Sequence, residues 1–484
     1  MTSLTANSPE QGGGSPEAVR EALSAYDTAR VHALVARLPP PDLGHIPGGR
    51  GLPMFGHGPA LLFDVHRWVD RRYRRYGPVF RMNMPVLNQH GSGGVVMLGP
   101  QANQIVFQNE GQRFSNYLAW NASFRGLFDD NLLQRDFGDH KSLRKILQSA
   151  FRREAIEGHM ELLNPALEAG VKRWPTRRAI RSMDFVKELF LSAGSLVFLG
   201  EEPGADTRKV NRAFTDLVTG SADLLRNEKL WFSPYARGVR ARRYLSERIV
   251  ASIPERRRLA TRDLLSNYCC LKNEQGEYFR DEEIRDQLLF VLFAAHDTTT
   301  STISSVLYSI ASNPEWQEAV REEMLALDKG GVEFEDLDRM GNTSLVIKEA
   351  LRMFPPLVMM PRHALEDFEY EGYRIPAGAN VVVSALFTHY MPEYWTDPHR
   401  FDPQRFAPGR AEDKQHLFQY IPFGGGAHKC LGLHFAQVQS KIFLFHLLKN
   451  FEVTKSPRMR RYKYTHVPLT FPTDGLPLTF TPIH

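Results

Sequence analysis

The stretch Phe423-Gly424-Gly425-Gly426-Ala427-His428-Lys429-Cys430-Leu431-Gly432 is the segment from which the rest of the chain is best read. Three successive glycines let backbone approach a bulky group and let N–H groups face a sulfur with no Cβ in the way. Cys430 stands where an apolar-periodic helix begins, running from about Leu431 to Lys449. Free N–H groups and the helix dipole there favour thiolate over thiol. Gly432, on the first turn, leaves room for a flat group to lie against it. A structural cysteine after a glycine turn shares the Gly-Gly-Gly run, so the residues around that run decide between the two.

Working outward, the segment Asp286 to Ser312 has the period of one long helix. Its first part, Leu288-Leu289-Phe290-Val291-Leu292-Phe293-Ala294-Ala295, is apolar on all sides and therefore buried. It then turns polar at His296-Asp297-Thr298-Thr299-Thr300. Polar groups in a buried helix are costly without partners or a task, although threonine can bond back to the preceding turn and bend the helix. Lys348-Glu349-Ala350-Leu351-Arg352 places Glu349 and Arg352 at i and i+3 on one face, and Phe401-Asp402-Pro403-Gln404-Arg405-Phe406 follows. His140-Lys141-Ser142-Leu143-Arg144 puts His140 and Arg144 four residues apart. Taken singly, these read as a surface ion pair and a solvated helical face.

Together they read differently. The pattern Phe-x-x-Gly-x-His-x-Cys-x-Gly resembles the heme-binding loop of cytochromes P450, a family whose iron takes a cysteine thiolate as axial ligand. That resemblance implies heme b, with Cys430 on the iron and Phe423, Gly424, Gly432 and Ala294 against the ring. It implies that His140, Arg144, Arg362 and His428 surround the heme propionates with donors. Glu349, Arg352 and Arg405 match the Glu-x-x-Arg and Pro-x-Arg-Phe motifs, a buried charge network with a structural role. Ala294 to Thr298 are similar to the (Ala/Gly)-Gly-x-(Asp/Glu)-Thr motif. There Thr298 would hold dioxygen and its water while Asp297 feeds protons inward, and both are taken as catalytic. The chain departs from the common pattern at Ala295, where many members have glycine, and at His428, where many have arginine.

The fold implied is mainly α with a minor β part: a long central helix over the heme and a small N-terminal β-rich lobe. Short strands are expected at Pro78–Met82 and Gly94–Leu98, with a hairpin over Tyr370–Gly378. Length alone, 484 residues, would suggest about three domains. Residues 140, 298, 362 and 430 must meet at one cofactor, so 16–484 is expected to be one catalytic domain behind a disordered tail, 1–15. An apolar stripe over 16–38 fits a helix on the protein's own core better than one lying on a membrane surface.

Composition excludes several classes. A net charge of +5 is too mild for nucleic acid, and no run approaches the roughly 20 apolar residues of a transmembrane anchor. Three cysteines, two of them adjacent, give no disulfide framework, and a cytoplasmic location fits. The activity implied is a heme-thiolate monooxygenase that inserts one oxygen atom from O2 into a lipophilic sterol, terpenoid or fatty-acid-like molecule. Substrate contacts are expected from Tyr117, Leu118 and Trp120, from Phe293 and Ala295, from Val358 and Met359 within Leu357–Met360, and from Phe471. Electrons would come from a separate ferredoxin or flavodoxin-type donor, docked on Lys141, Arg144, Lys145, Arg152, Arg153 and Lys429. The competing readings are a heme-thiolate isomerase or peroxygenase acting on a peroxide, and a non-catalytic heme sensor or lipid carrier.

Overall fold

Apolar residues near the N-terminus repeat with helical period, then with period 2, and the switch marks where the smaller lobe begins. A computed structural model describes residues 15–483, apart from 38–39, 50, 53–54, 84–92, 202–204, 222, 224–225, 260–261, 274, 460 and 467–468. Residues 1–14 of the expected tail lie outside the described residues, and Ser15 already belongs to the fold as a helix cap. The 16–38 stripe forms two helices, Pro16–Ser24 and Thr28–Val35. Tyr26, at φ 52°, breaks the run between them. Ser15 and Asp27 accept from the Ala18 and Arg30 N–H groups and cap the two pieces. Val19, Ala22, Leu23, Val31 and Val35 are buried against Tyr117 and Leu365, so the stripe packs on the protein's own core.

The sheet runs in the order Val79–Met82, Gly94–Met97, Asn380–Ser384, Met359–Ala364, Phe114–Ser115. Every neighbouring pair is antiparallel except Gly94–Met97 with Asn380–Ser384. Parallel strands need a long crossover, and here the crossover is the helical body itself. The β-rich lobe is thus stitched from both ends of the chain and not from its N-terminal part alone. The expected hairpin is present as Phe368–Tyr370 paired with Tyr373–Ile375. Its two-residue turn, Glu371 at φ 49° and Gly372 at φ 75°, has the doubly positive geometry that suits the twist of such ribbons.

The central helix, Asp281–Ser312, begins five residues before the expected Asp286. Asp281, Glu282 and Glu283 sit in its first turn, where the helix dipole favours negative charge, and Glu283 accepts from the Arg280 N–H at 2.9 Å. Helices Ser182–Leu199, Gly341–Met353 and Leu433–Asn450 pack around it in one continuous apolar core. The cysteine loop lies at the junction of that core with the sheet lobe.

Candidate active site

The glycines of the cysteine loop have separate tasks. Gly426 is at φ 62°, and a Cβ there would come within 1.7 Å of the Phe107 carbonyl oxygen. At Gly425 a Cβ would meet the Phe418 ring at 2.9 Å. These two glycines dock the loop on the end of helix Pro100–Gln108. Gly432, the residue before helix Leu433–Asn450, is different: a Cβ there would meet nothing within 4 Å, so it faces open space, as a flat neighbour requires. The Cys430 N–H donates to the Phe423 carbonyl at 3.0 Å. Cys430 itself is exposed at its tip yet ringed by protein. Burial pushes its thiol above the usual cysteine range, and the Gly432 N–H, Arg144 and Lys429 offset only part of that rise.

Beside the loop, four donors converge from three segments. His140, on helix Phe137–Leu147, lies against His428 with ring centroids 3.8 Å apart and the rings tilted by 31°. Arg362 comes from strand Met359–Ala364, and Arg144 lies one helical turn beyond His140. Burial, reinforced by Arg144 and Arg362, holds His140 down at about 4. Burial and the same cationic surroundings push His428 well below the usual histidine range. Burial lowers Arg362 to about 10, with only Asp136 opposing. Among the described residues, the buried Nε2 of His140 has no hydrogen-bond partner. Such a surplus of donors fits a flat group that brings carboxylates of its own, as a heme does.

Sequence reasoning missed two members of this cluster. Asp136 is buried and accepts from the Asn116 N–H at 2.8 Å and the Tyr117 N–H at 3.2 Å. Asn116 reaches His428 Nδ1 at 2.8 Å. Neither residue stands in a motif, and only the fold brings them to the loop.

On the central helix, Thr298 donates its hydroxyl to the Ala294 carbonyl at 2.6 Å, so its lone pairs remain available to accept. Thr300 and Thr302 bond back in the same manner to His296 and Thr298. Asp297 is buried, with Oδ1 2.8 Å from His296 Nδ1 and 3.6 Å from Lys187 Nζ. The geometry of the His296 contact is not that of a straight hydrogen bond. Burial pushes the Asp297 carboxyl up, but His296 and Lys187 together outweigh it and hold the group below the usual carboxylate range. Lys187, one-third exposed, links Asp297 to solvent.

The expected substrate contacts divide. Trp120, Phe124, Phe128, Phe290 and Phe293 form a continuous aromatic wall, with Trp120 stacked on Phe124 at 5.5 Å. Among the described residues, the Trp120 indole N–H has no partner. Phe471 is half-buried beside the central helix, whose Ser301 hydroxyl donates to the neighbouring Thr470 carbonyl at 2.6 Å. Five of the expected residues have their main packing partners elsewhere. Tyr117 turns to the N-terminal helices, where its hydroxyl lies 3.0 Å from His32 Nε2, and Leu118 packs in the same cluster. Val358 and Met359 pack with Leu61, Val65 and Trp68. Ala295 lines a small cavity with Phe190, Phe198, Phe214 and Gln439, facing helix Ser182–Leu199. Met360, the residue after Met359, approaches Gly424 instead.

Behind the loop, Glu349 receives Arg352 at 2.7 and 2.9 Å and Arg405 at 3.0 Å, all three fully buried. Glu412, also missed in the sequence, accepts from Arg405 at 2.7 Å. Of the cations expected to form a docking patch, Lys141, Lys145, Arg152 and Lys429 are exposed. Arg153 pairs with Glu157 and Glu335, and half-buried Arg144 faces the sulfur instead.

A family model described as Cytochrome P450 matches residues 46–476. The chain is 34% identical over 454 residues to a putative cytochrome P450 136 of Mycobacterium tuberculosis, covering 92% of this chain and 90% of that one. It is 29% identical to a taxane 10-beta-hydroxylase of Taxus cuspidata, covering 84% and 83%. Among solved structures, the retinoic-acid-bound cyanobacterial CYP120A1 superposes with TM-score 0.81 and 26% identity, over 90% of this chain and 99% of that one. No helix among the described residues is long and apolar enough to cross a membrane. With the cysteine loop, the buried Glu–Arg network and the central-helix threonine all in place, the chain belongs to the cytochrome P450 family and is a heme-thiolate monooxygenase.

Proposed function

We propose that the chain, acting as one catalytic domain over 16–484, binds heme b through Cys430 and oxidises a lipophilic substrate with electrons from a separate ferredoxin or flavodoxin-type donor. One atom of dioxygen enters the substrate and the other leaves as water, with two electrons from the donor and two protons. When bound, the heme supplies the iron on which dioxygen is activated. The observation that carries the reading is the exposed Cys430 beside His140, Arg144, Arg362 and His428, a cluster in which, among the described residues, Asp136 is the one carboxylate.

Each side chain has a definite part. Arg144 and Lys429 favour the thiolate, while His140, Arg362 and His428 would hold the propionates. Thr298, its proton committed to Ala294, accepts a hydrogen bond from a water or from a protonated oxygen in the groove. Asp297 takes protons from the solvent side, where Lys187 meets it, and passes them inward. The aromatic wall excludes water, and the Trp120 N–H offers one directional contact to a mainly apolar molecule. Relatives named for taxane hydroxylation and a neighbour solved with retinoic acid support a lipophilic, terpenoid-like substrate. Exposed Lys141, Lys145, Arg152 and Lys429 suit an acidic donor. The free cysteines accord with a cytoplasmic location.

Optical titration of the ferric protein with sterols, terpenoids and fatty acids tests the pocket: a true substrate displaces water from the iron and shifts the spectrum to high spin. Thr298→Ala should uncouple the reaction, releasing most reducing equivalents as peroxide. Full coupling in that variant would favour a peroxide-dependent reaction instead.

A further inference from the structure

Among the described residues, Asp136 is the carboxylate that stands inside the donor cluster, and it belongs to none of the sequence motifs. It is 2% exposed and held by the Asn116 and Tyr117 N–H groups at 2.8 and 3.2 Å and by the Ser115 hydroxyl. Its backbone carbonyl accepts from the His140 N–H at 3.0 Å, so it also opens the helix that presents His140 and Arg144. One oxygen lies 3.9 Å from His428 Nε2, and the carboxylate acts on Arg362.

Asn116 completes the arrangement. Its Nδ2 donates to the Leu133 carbonyl at 3.2 Å, which fixes the orientation of the amide. The same Nδ2 therefore donates to His428 Nδ1, at 2.8 Å. A neutral imidazole that accepts at Nδ1 carries its proton on Nε2, the nitrogen on the Asp136 side. Asn116, whose backbone N–H is held by Asp136, thus fixes which nitrogen of His428 carries the proton, with the Asp136 carboxylate 3.9 Å from it. The same buried carboxylate is placed against the cationic Arg362.

We propose that Asp136 is a positioning residue for the heme carboxylates: a built-in counter-charge that orients His428 and Arg362 and holds down the reduction potential of the bound iron. This rests on the heme reading above. The cofactor's propionates would enter a cluster that is already partly neutralised, so they share its donors with a resident carboxylate. Reduction adds negative charge to the iron site, and a buried anion nearby opposes that in a low-dielectric surrounding. Burial raises the Asp136 carboxyl to about 6, the cost of keeping an anion there, with the Ser115 and backbone donors opposing.

The test is the spectroelectrochemical midpoint of the holoenzyme in wild type, Asp136→Asn and Asn116→Asp. Asp136→Asn removes the charge in a side chain of the same shape and should shift the midpoint positive. Asn116→Asp adds a charge beside His428 and should shift it negative. A merely structural role for Asp136 predicts lower thermal stability with an unchanged midpoint, and that result overturns the proposal. If Asp136→Asn fails to take up heme, Asn116→Asp decides alone: an unmoved midpoint sinks the idea. Wild-type protein that binds no heme would instead overturn the heme reading, so the two failures are distinguishable.

Discussion

Two charged clusters flank the cysteine loop, and they are built on opposite principles. Glu349, Arg352, Arg405 and Glu412 form a closed set in which each charge meets an opposite one and the leftover N–H groups find carbonyls of His389, Thr396 and Pro398. His140, Arg144, Arg362 and His428 form an open set, rich in donors, with Asp136 as the internal acid. The first needs nothing from outside and holds the scaffold. The second holds donors that the proposed heme carboxylates would meet. A buried charge cluster therefore signals function when its donors and acceptors fail to balance.

Breaking the closed set should have the largest effect. Glu349→Ala leaves two buried guanidiniums without their shared partner, a change worth about 3–5 kcal/mol. The variant is expected to express poorly or to melt far below wild type in a thermal scan. Breaking the open set should spare the scaffold. Arg362→Ala removes charge-assisted hydrogen bonds to the ligand, worth roughly 1.5–3 kcal/mol, so heme transfer to an acceptor globin should accelerate about 10–100-fold. Melting of the heme-free protein should change little, and a large drop there would erase the distinction between the two clusters.

A smaller effect sharpens the boundary between them. His389 joins the closed set to the loop, with Nδ1 3.1 Å from the Arg352 carbonyl and Nε2 accepting from the Ile421 N–H at 3.0 Å. Burial, with Arg352 adding to it, pushes its pKa down from 6.5 to about 3. The folded value is below the unfolded one, so the unfolded chain takes the proton first as pH falls. The stability contributed by neutral His389 is complete above about pH 6.5 and is lost progressively toward pH 3. Melting temperature should fall over that window, and His389→Gln should flatten part of the slope.

Much of the scaffold was legible because its signals are local. Glu349 and Arg352 lie one turn apart, the cysteine loop is contiguous, and the apolar-to-polar switch at His296 falls within one helix. What escaped depends on which way a side chain points after the chain has folded. Tyr117 and Phe293 are both aromatic and both expected at the pocket, yet only Phe293 joins the aromatic wall. Val358 and Met360 are two residues apart along one extended segment, but the sheet's twist and the loop's approach set their surroundings. Asp136, Asn116 and Glu412 carry no spacing signature at all, since the partners that matter lie in other segments.

The contact between Gly426 and the Phe107 carbonyl has a consequence for how the molecule is made. That contact joins segments separated by most of the chain, across the whole helical body, and it has no clearance for even one methyl group. Closing so long a loop costs entropy that local helices do not return. The Cys430 loop is therefore expected to settle after the helical body and the sheet have met, and heme uptake is expected to come late in assembly.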